Sequence, residues 1–339
     1  MIVIDGAAGE GGGQVLRTSL ALAMVTGQPF RIERIRAGRR KPGLMRQHLT
    51  AVLAATQICG GTAIGAEPGS TTLEFTPGKV RGGDYRFAIG TAGSTILVLQ
   101  TILLPLLQAG ERSRLVLEGG THNPHAPSFA FLERAFLPQL ARMGAEVSVK
   151  LVRPGFYPAG GGRIEVEIAP LERLLPLHVP LRGALQRTHA EALVVNLPGS
   201  IGERELVVIA NRLKWSAEDL KLRTDKQALG PGNVLTLFLE FATIIQVLVA
   251  FGEQGVSAEA VANRAAGVAA RLLKVDAAIE PHLADQLLLP IALAGAGSFT
   301  TLALTSHAKT NIEVIRRFMD VSISAMENGE DLCAVHVAT

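Results

Sequence analysis

Aromatic residues are scarce in this 339-residue chain. At 4% of the sequence, with one tryptophan and two tyrosines, they cannot supply the runs of stacked rings that line single-stranded nucleic-acid channels. Cysteine is scarcer still: Cys59 and Cys333 stand far apart and form no CxxC pair, which excludes a disulfide framework and reads as two reduced, structural thiols. Long apolar runs are missing too. The longest, Ile96 to Ala109, is too short to cross a bilayer and carries Gln100 and Pro105. Met1 runs straight into the strand-like MIVIDG with no signal-peptide pattern, so the expectation is a cytoplasmic protein with no membrane partner. No sign of charge dominates either, because 33 Lys and Arg face 30 Asp and Glu for a net +3. That balance excludes a nucleic-acid coat protein and leaves room only for a local basic patch.

What is present is apolar bulk and glycine. Hydrophobic residues make up 48% and glycines number 36, the composition of a turn-rich globular protein long enough for more than one domain. One unit recurs three times: Gly-rich turn, apolar helix, glycine, strand, loop, helix, hairpin. The first copy has GEGGGQ (Gly9 to Gln14), a helix Val15 to Val25, a strand Phe30 to Ile35, the loop RAGRRKPG, a helix from Leu44 and a hairpin turning at Pro68 and Gly69. The second has GTAGS (Gly90 to Ser94), a helix Thr95 to Gln108, a strand Arg114 to Leu117 and the loop EGGTHNPHAP, followed by a helix from Ser128. The third has a helix Ala284 to Ala294, GAGS, a strand, a loop with His307, another helix and a hairpin turned at Asn328 and Gly329. The register agrees: Gly27, Gly110 and Gly297 each lie ten or eleven residues before Gly38, Gly120 and His307. The predicted fold class is α/β, built of four-stranded layers each covered by two helices. The predicted boundaries are a repeat-built catalytic domain, 1–181 and 278–339 (copies 1–85, 86–181 and 278–339), interrupted by a small α/β insert, 182–277. In the insert, Trp215 reads as a packing residue, and Lys214, Lys221, Arg223 and Lys226 as a solvated face.

The stretch Ser298 to Phe318 carries the sharpest chemical signal. Alternation predicts a strand over Phe299 to Leu304, and Thr310 with Glu313 three residues later predicts a helix start of capping-box type. His307 is then expected in the intervening loop, at the positive end of the helix dipole, where phosphate is attracted and a neutral imidazole favoured. It is either a nucleophile facing phosphate or a loop histidine satisfied by its neighbours. The loop around RIRAGRRKPG sets Arg34, Arg36, Arg39, Arg40 and Lys41 before a helix, a plausible phosphate cradle that Arg17 and Gln47 supplement; a solvated basic loop is the alternative. GEGGGQ matches neither a Walker loop nor a dinucleotide fingerprint, but its Glu10 is placed to hold a magnesium ion bridging phosphates, or is a simple exposed carboxylate. Gln100, Asp285 and Gln286 interrupt apolar helices, where an amide can read a nucleobase edge and an Asp can hold a ribose.

With these parts assembled, the chain closely resembles the RNA 3′-terminal phosphate cyclases, in the branch that retains cyclase activity. The resemblance runs over essentially the whole chain, through DGAAGEGGGQVLRT, IRAGRRKPGLMRQHLTA, GGDYRFAIGTAGST, GFYPAGGG, HLADQLLLPIALAGAG and SHAKTNIEVI. It implies three repeats of a two-helix, four-stranded unit and an inserted domain of thioredoxin-like layout. It also implies an enzyme that uses ATP, with Mg2+ or Mn2+, to convert an RNA 3′-phosphate end to a 2′,3′-cyclic phosphate. The implied intermediates are a covalent histidine–AMP and an RNA(3′)pp(5′)A. By the same resemblance His307 is the nucleophile, and Gln100, Pro127, His282, Leu283, Ala284, Asp285 and Gln286 form the adenylate pocket. Glu10 contacts the metal, while Arg17, Arg36, Arg39 and Gln47 bind the RNA-end phosphate. The chain departs from the family pattern at His282, where an aromatic ring is usual, and at Pro154, where Arg or His commonly precedes Gly155. The rivals are a cyclase-like binding protein, which lacks the nucleophilic histidine, and an enolpyruvyl transferase on a related scaffold. The oligomeric state stays open, a homodimer being one option.

Overall fold

A computed structural model of the chain describes residues 1–327 and 332–339; the turn expected at Asn328 and Gly329 lies outside the described residues. The chain opens with β1 (Ile2–Asp5), α1 (Gly13–Thr26), β2 (Phe30–Glu33), α2 (Arg46–Cys59), β3 (Thr62–Ile64) and β4 (Leu73–Thr76). Their strands form one sheet in the order β1-β2-β4-β3, with β1 and β2 parallel and the other pairs antiparallel. The pattern then repeats as β5 (Gly83–Ala88), α3 (Thr95–Leu107), β6 (Ser113–Gly119), a broken helix, β7 (Val147–Arg153) and β8 (Gly162–Ile168). Here the order is β5-β6-β8-β7. The broken helix is α4 (Phe129–Phe131) and α5 (Leu137–Arg142) on either side of a wider π-type segment, Leu132–Phe136.

Next comes β9 (Leu177–Val179), and after it an independent sheet. That sheet is made by β10 (Leu185–Val195), β11 (Leu220–Asp225), β12 (Gly232–Phe241) and β13 (Ile245–Phe251) in the order β11-β10-β12-β13. Helices α6 (Ser200–Leu213) and α7 (Ala258–Lys274) pack on each other and on these strands. Strand β11 was not visible in the sequence, because its alternation of Leu220 and Leu222 with Lys221 and Arg223 hides in a run of charge. Trp215 is buried in the core, as a packing residue.

The chain closes with α8 (Pro281–Ala294), β14 (Ala296–Thr301), α9 (Ser306–Phe318), β15 (Ser322–Glu327) and β16 (Cys333–Ala338). Strand β9 precedes the insert in sequence yet pairs in parallel with β14 beyond it, completing the order β9-β14-β16-β15. The three sheets outside the insert therefore share one topology, and each begins with a strand ahead of the Gly-rich turn or, in the last case, ahead of the insert.

Amphipathic strands and nearly all-apolar helices dictate the layering. In β8 buried Ile164, Val166 and Ile168 alternate with more exposed residues, whereas every residue of α3 except Gln100 is buried. A helix apolar on all sides needs cover on all sides. The helices accordingly gather in the middle, α1 against α2, α3 and α9, α2 against α3, and α8 against α9, with the sheets outside. Phe30 links the first and third sheets' layers, its ring lying 5.9 Å from Phe75 and 5.9 Å, edge-on, from Phe318. No helix among the described residues is long and apolar enough to cross a membrane.

Since Phe318 is 4% exposed and joins α9 to the first sheet, Phe318→Ala should cost about 3–5 kcal/mol. Urea unfolding should show this as a lower midpoint at an unchanged m-value.

Candidate active site

Helices α1 and α9 run side by side in the same direction, and two polar rungs join them. Gln14 faces His307 and Thr18 faces Asn311, four residues on along each helix. Four residues is one turn, so each pair of side chains lies on one helix face. The helix holding His307 starts earlier than its sequence predicts. Thr305 is the N-cap, its Oγ1 accepting from the Ala308 amide at 3.1 Å, and His307 lies in the first turn of α9 instead of in a loop. Thr310, expected as the cap, donates its hydroxyl back to the Ser306 carbonyl at 2.7 Å. Thr305 wins because its backbone is extended, which a cap requires, whereas Thr310 already lies inside the helix.

The His307 tautomer follows from its neighbours. Gln14 Nε2 donates to both carboxylate oxygens of Asp285, at 2.6 and 2.8 Å, which turns Gln14 Oε1 toward the imidazole. An amide oxygen only accepts, so His307 Nδ1 carries the proton in their 2.9 Å hydrogen bond and Nε2 keeps its lone pair. Asp285 also accepts from Asn311 Nδ2 at 3.3 Å and Gln286 Nε2 at 3.1 Å. Burial raises its pKa, while the Gln14 hydrogen bond and the charges of His307 and Arg17 oppose that shift. Every neighbour in this set donates, an arrangement only the ionised carboxylate satisfies. Partial burial lowers the His307 pKa, opposed by Asp285 and assisted by Arg39, Arg17 and His282. The result is a neutral imidazole with an exposed, unprotonated Nε2.

The Gly-rich turn is shaped by close approach. Gly9 has φ +59°, and a Cβ there would fall 2.2 Å from Thr310 Oγ1; the Glu10 amide donates to that same hydroxyl at 3.0 Å. This hydrogen bond ties the turn before α1 to the first turns of α9. Glu10 is thereby set with Oε1 3.7 Å from His307 Nε2, its carboxylate mostly buried and ion-paired with Arg39. Arg17 lies beside Gly13 and buried His48, and burial lowers its pKa to about 10 against the pull of Asp285. His48 is held neutral, down to about 3, by burial and by the charges of Arg17 and Arg36. Arg36 donates to the Lys41 and Gly43 carbonyls, at 2.7 and 2.9 Å, bracing its own loop. Gln47 Oε1 accepts from the Ser94 amide at 2.7 Å, linking α2 to the second Gly-rich turn.

An open cleft adjoins these groups. Gln14, Arg17, Gln100, Asp285 and Gln286 give it polar lining, and Leu103, Leu104, Phe136 and Leu289 apolar lining. Gln100 Nε2 is buried without a hydrogen-bond partner among the described residues, so an acceptor is wanted in the cleft. The other expected pocket residues lie elsewhere. Leu283 and Ala284 are fully buried in the core, and Pro127 is half-buried in the loop after β6. The His282 ring is exposed and bonded to Glu280, which raises its pKa. Sequence reasoning overlooked Gln14, Thr18, Glu280 and Asn311. The signal available was spacing: polar residues four apart, Gln14 with Thr18 and His307 with Asn311, on otherwise apolar helix faces.

The family model described as RNA 3′-terminal phosphate cyclase matches residues 8–325. The chain is 50% identical over 337 residues to the RNA 3′-terminal phosphate cyclase of Ectopseudomonas mendocina, covering 99% of this chain and 98% of that one. It is 52% identical over 334 residues to the cyclase of Koribacter versatilis, covering 98% and 94%. Among solved structures it aligns along 99% of its length with the enolpyruvyl transferase NikO from Streptomyces tendae, at 12% identity and a TM-score of 0.37, spanning 48% of that chain.

His307 should stay neutral as the pH falls through the ordinary 6.5 and protonate only below it. Imidazole 15N spectra at pH 7 should show Nδ1 protonated and Nε2 bare. Asp285→Asn removes the anion that raises this pKa and should move the midpoint lower still.

Proposed function

This chain belongs to the RNA 3′-terminal phosphate cyclase family, and from that membership we propose that it cyclises RNA 3′-phosphate ends with ATP through an adenylylated His307. The observation that supports this reading best is the Asp285–Gln14–His307 relay, which leaves a lone pair on Nε2 at the N-terminus of α9. In the proposed first step Nε2 attacks the α-phosphorus of ATP, the bond from that phosphorus to the bridging oxygen breaks, and pyrophosphate leaves. The imidazole that results is positively charged, and Asp285, through Gln14, stabilises that charge as it forms. In the second step an oxygen of the RNA 3′-phosphate attacks the same phosphorus, the P–N bond breaks, and neutral His307 is restored. In the third the ribose 2′-hydroxyl loses its proton and attacks the terminal RNA phosphorus, closing the 2′,3′-cyclic phosphate and expelling AMP.

The remaining residues divide by chemistry. The cleft offers apolar walls and an unpartnered Gln100 amide, which suit an adenine ring bearing acceptor nitrogens. Arg17 and Arg39 lie close enough to influence the His307 charge, and in the proposal they take up phosphate oxygens, with Arg36 and Gln47 holding the loops that place them. Glu10 fits a divalent ion that is only partly protein-held. It is a single carboxylate next to Nε2, and no group of three metal-ligating side chains occurs among the described residues. Mg2+ typically binds one or two carboxylates together with substrate phosphates and water. Held there, Mg2+ or Mn2+ would neutralise phosphate charge as pyrophosphate departs. The proposed setting is the cytoplasm, which matches two free, buried cysteines.

Incubation with α-labelled ATP and magnesium should yield an acid-labile, base-stable protein–AMP adduct, absent in His307→Ala; an adduct surviving in that variant would defeat the assignment. Arg39→Ala should still form the adduct but react with RNA 3′-phosphate ends about ten- to a hundredfold more slowly, the cost of one charge-assisted hydrogen bond. Equal losses in both steps would remove Arg39 from the RNA side.

A further inference from the structure

Of the two tyrosines, one is committed to the fold. The Tyr85 hydroxyl donates to the Arg81 carbonyl at 2.9 Å, and its ring stacks on Phe87 at 6.1 Å with 9° between planes. Tyr157 is different. It is 71% exposed and has no hydrogen bond or ring contact among the described residues. The loop that carries it is nevertheless held firmly. Phe156, its neighbour, is 5% exposed and stacked on His122 with centroids 5.0 Å apart, and the Gly160 amide donates to the Phe156 carbonyl at 2.7 Å. A Cβ on Gly160 would fall 2.9 Å from Thr91 O and Ala92 Cα, and one on Gly230 would fall 2.4 Å from Ala159 Cβ. The loop is thus clamped between the second Gly-rich turn and the insert. An aromatic ring carried outward on an immobilised loop leaves little main-chain freedom to lose on stacking.

Contacts lead continuously from this loop to the proposed phosphate site. Gly160 abuts Thr91 and Ala92, whose turn continues to Ser94, and the Ser94 amide is bonded to Gln47. Gln47 is flanked by His48, beside Arg17, and by Arg46. Arg46 is exposed, makes no ion pair among the described residues, and extends its guanidinium to within 3.8 Å of where a Gly90 side chain would begin. An exposed ring on a held loop and an unpaired cation thus flank one turn. Single-stranded RNA presents bases and phosphodiesters alternately, and it fits both groups.

We propose that Tyr157 stacks on a base close to the 3′ end of the RNA while Arg46 contacts the adjoining phosphodiester, guiding the strand over the Gly90–Ser94 turn. The inference rests on the cyclase reading above. Stacking accepts any base, because every base has a π-face, so this contact lengthens the RNA site without adding sequence preference. It also accords with the scarcity of aromatics, since one ring makes a single platform and not a channel.

The test uses the intact protein and 3′-phosphorylated oligonucleotides carrying 2-aminopurine at each of the last four positions in turn. Wild type should quench the probe at one or two positions; Tyr157→Ala should lose that quenching and Tyr157→Phe keep it. In steady state, Tyr157→Ala should raise KM for a tetranucleotide 3′-phosphate about tenfold. Its KM for a mononucleoside 3′-phosphate, its rate of adduct formation with ATP and its unfolding midpoint should match wild type. Arg46→Ala should raise the tetranucleotide KM and flatten its salt dependence. Undiminished quenching by Tyr157→Ala, or an equal rise in KM for the short and long substrates, would overturn the proposal. Failure of wild type to form an AMP adduct would instead defeat the cyclase reading, leaving the quenching to decide the stacking contact by itself.

Discussion

The amide of Gln14 is the contact on which the rest of the site depends. Its NH2 spans both oxygens of Asp285 and its carbonyl accepts from His307 Nδ1, so three residues from three helices, α1, α8 and α9, are fixed by one side chain. An amide cannot exchange its two ends without pointing its carbonyl oxygen at a carboxylate. The buried anion therefore sets the direction of Gln14, and Gln14 sets the imidazole tautomer. Thr18 and Asn311 repeat the contact one turn deeper, with Asn311 Nδ2 donating back to the Asp285 carbonyl, so the helices cannot slide past each other without breaking both rungs.

Burial makes this arrangement costly, and that explains its completeness. A carboxylate only 6% exposed would take up a proton if its oxygens were left unbonded, and a protonated Asp285 would no longer orient Gln14. The four amide-type hydrogen bonds offset the desolvation. His307, in contrast, is half-exposed at the end of a helix, where burial and neighbouring arginines disfavour a second proton. One member is kept charged and dry, the other neutral and wet, and the amide between them couples the two. The Gly-rich turn contributes geometry: without a side chain at Gly9 the turn can rest on Thr310, and Glu10 then reaches Nε2.

The three-fold repetition places these parts. Each unit supplies a helix N-terminus after its strand and its turn, and packing the helices inside three sheets brings those ends together. The units have specialised differently: the first carries Glu10, Gln14 and the arginines, the third His307 and Asp285, and the second Gln100 and the turn that receives Gln47. The insert, placed between β9 and α8, contacts the second unit's glycine loop, and this positions Tyr157 at the junction of the two bodies.

Much of this was legible in the residues alone. Periodicity, glycine spacing and cap chemistry are local properties, so the repeats, most helices and the candidacy of His307, Asp285 and Glu10 could be read without coordinates. Boundaries shifted where a local signal misled, as Thr310 did for the cap of α9, or where charge masked alternation, as along β11. The role of Gln14 could not be read, because it is defined by partners 271 and 293 residues away. The assignment of β9 to the last sheet, and the separation of buried Leu283 and Ala284 from cleft-facing Asp285 and Gln286, were hidden for the same reason. Sequence determined which elements form and which side chains can do chemistry, since both follow from neighbours along the chain. Tertiary structure alone decided which nitrogen of His307 is bare and what faces it, since a hydrogen bond's direction is set by atoms that meet only when the repeats close on one another.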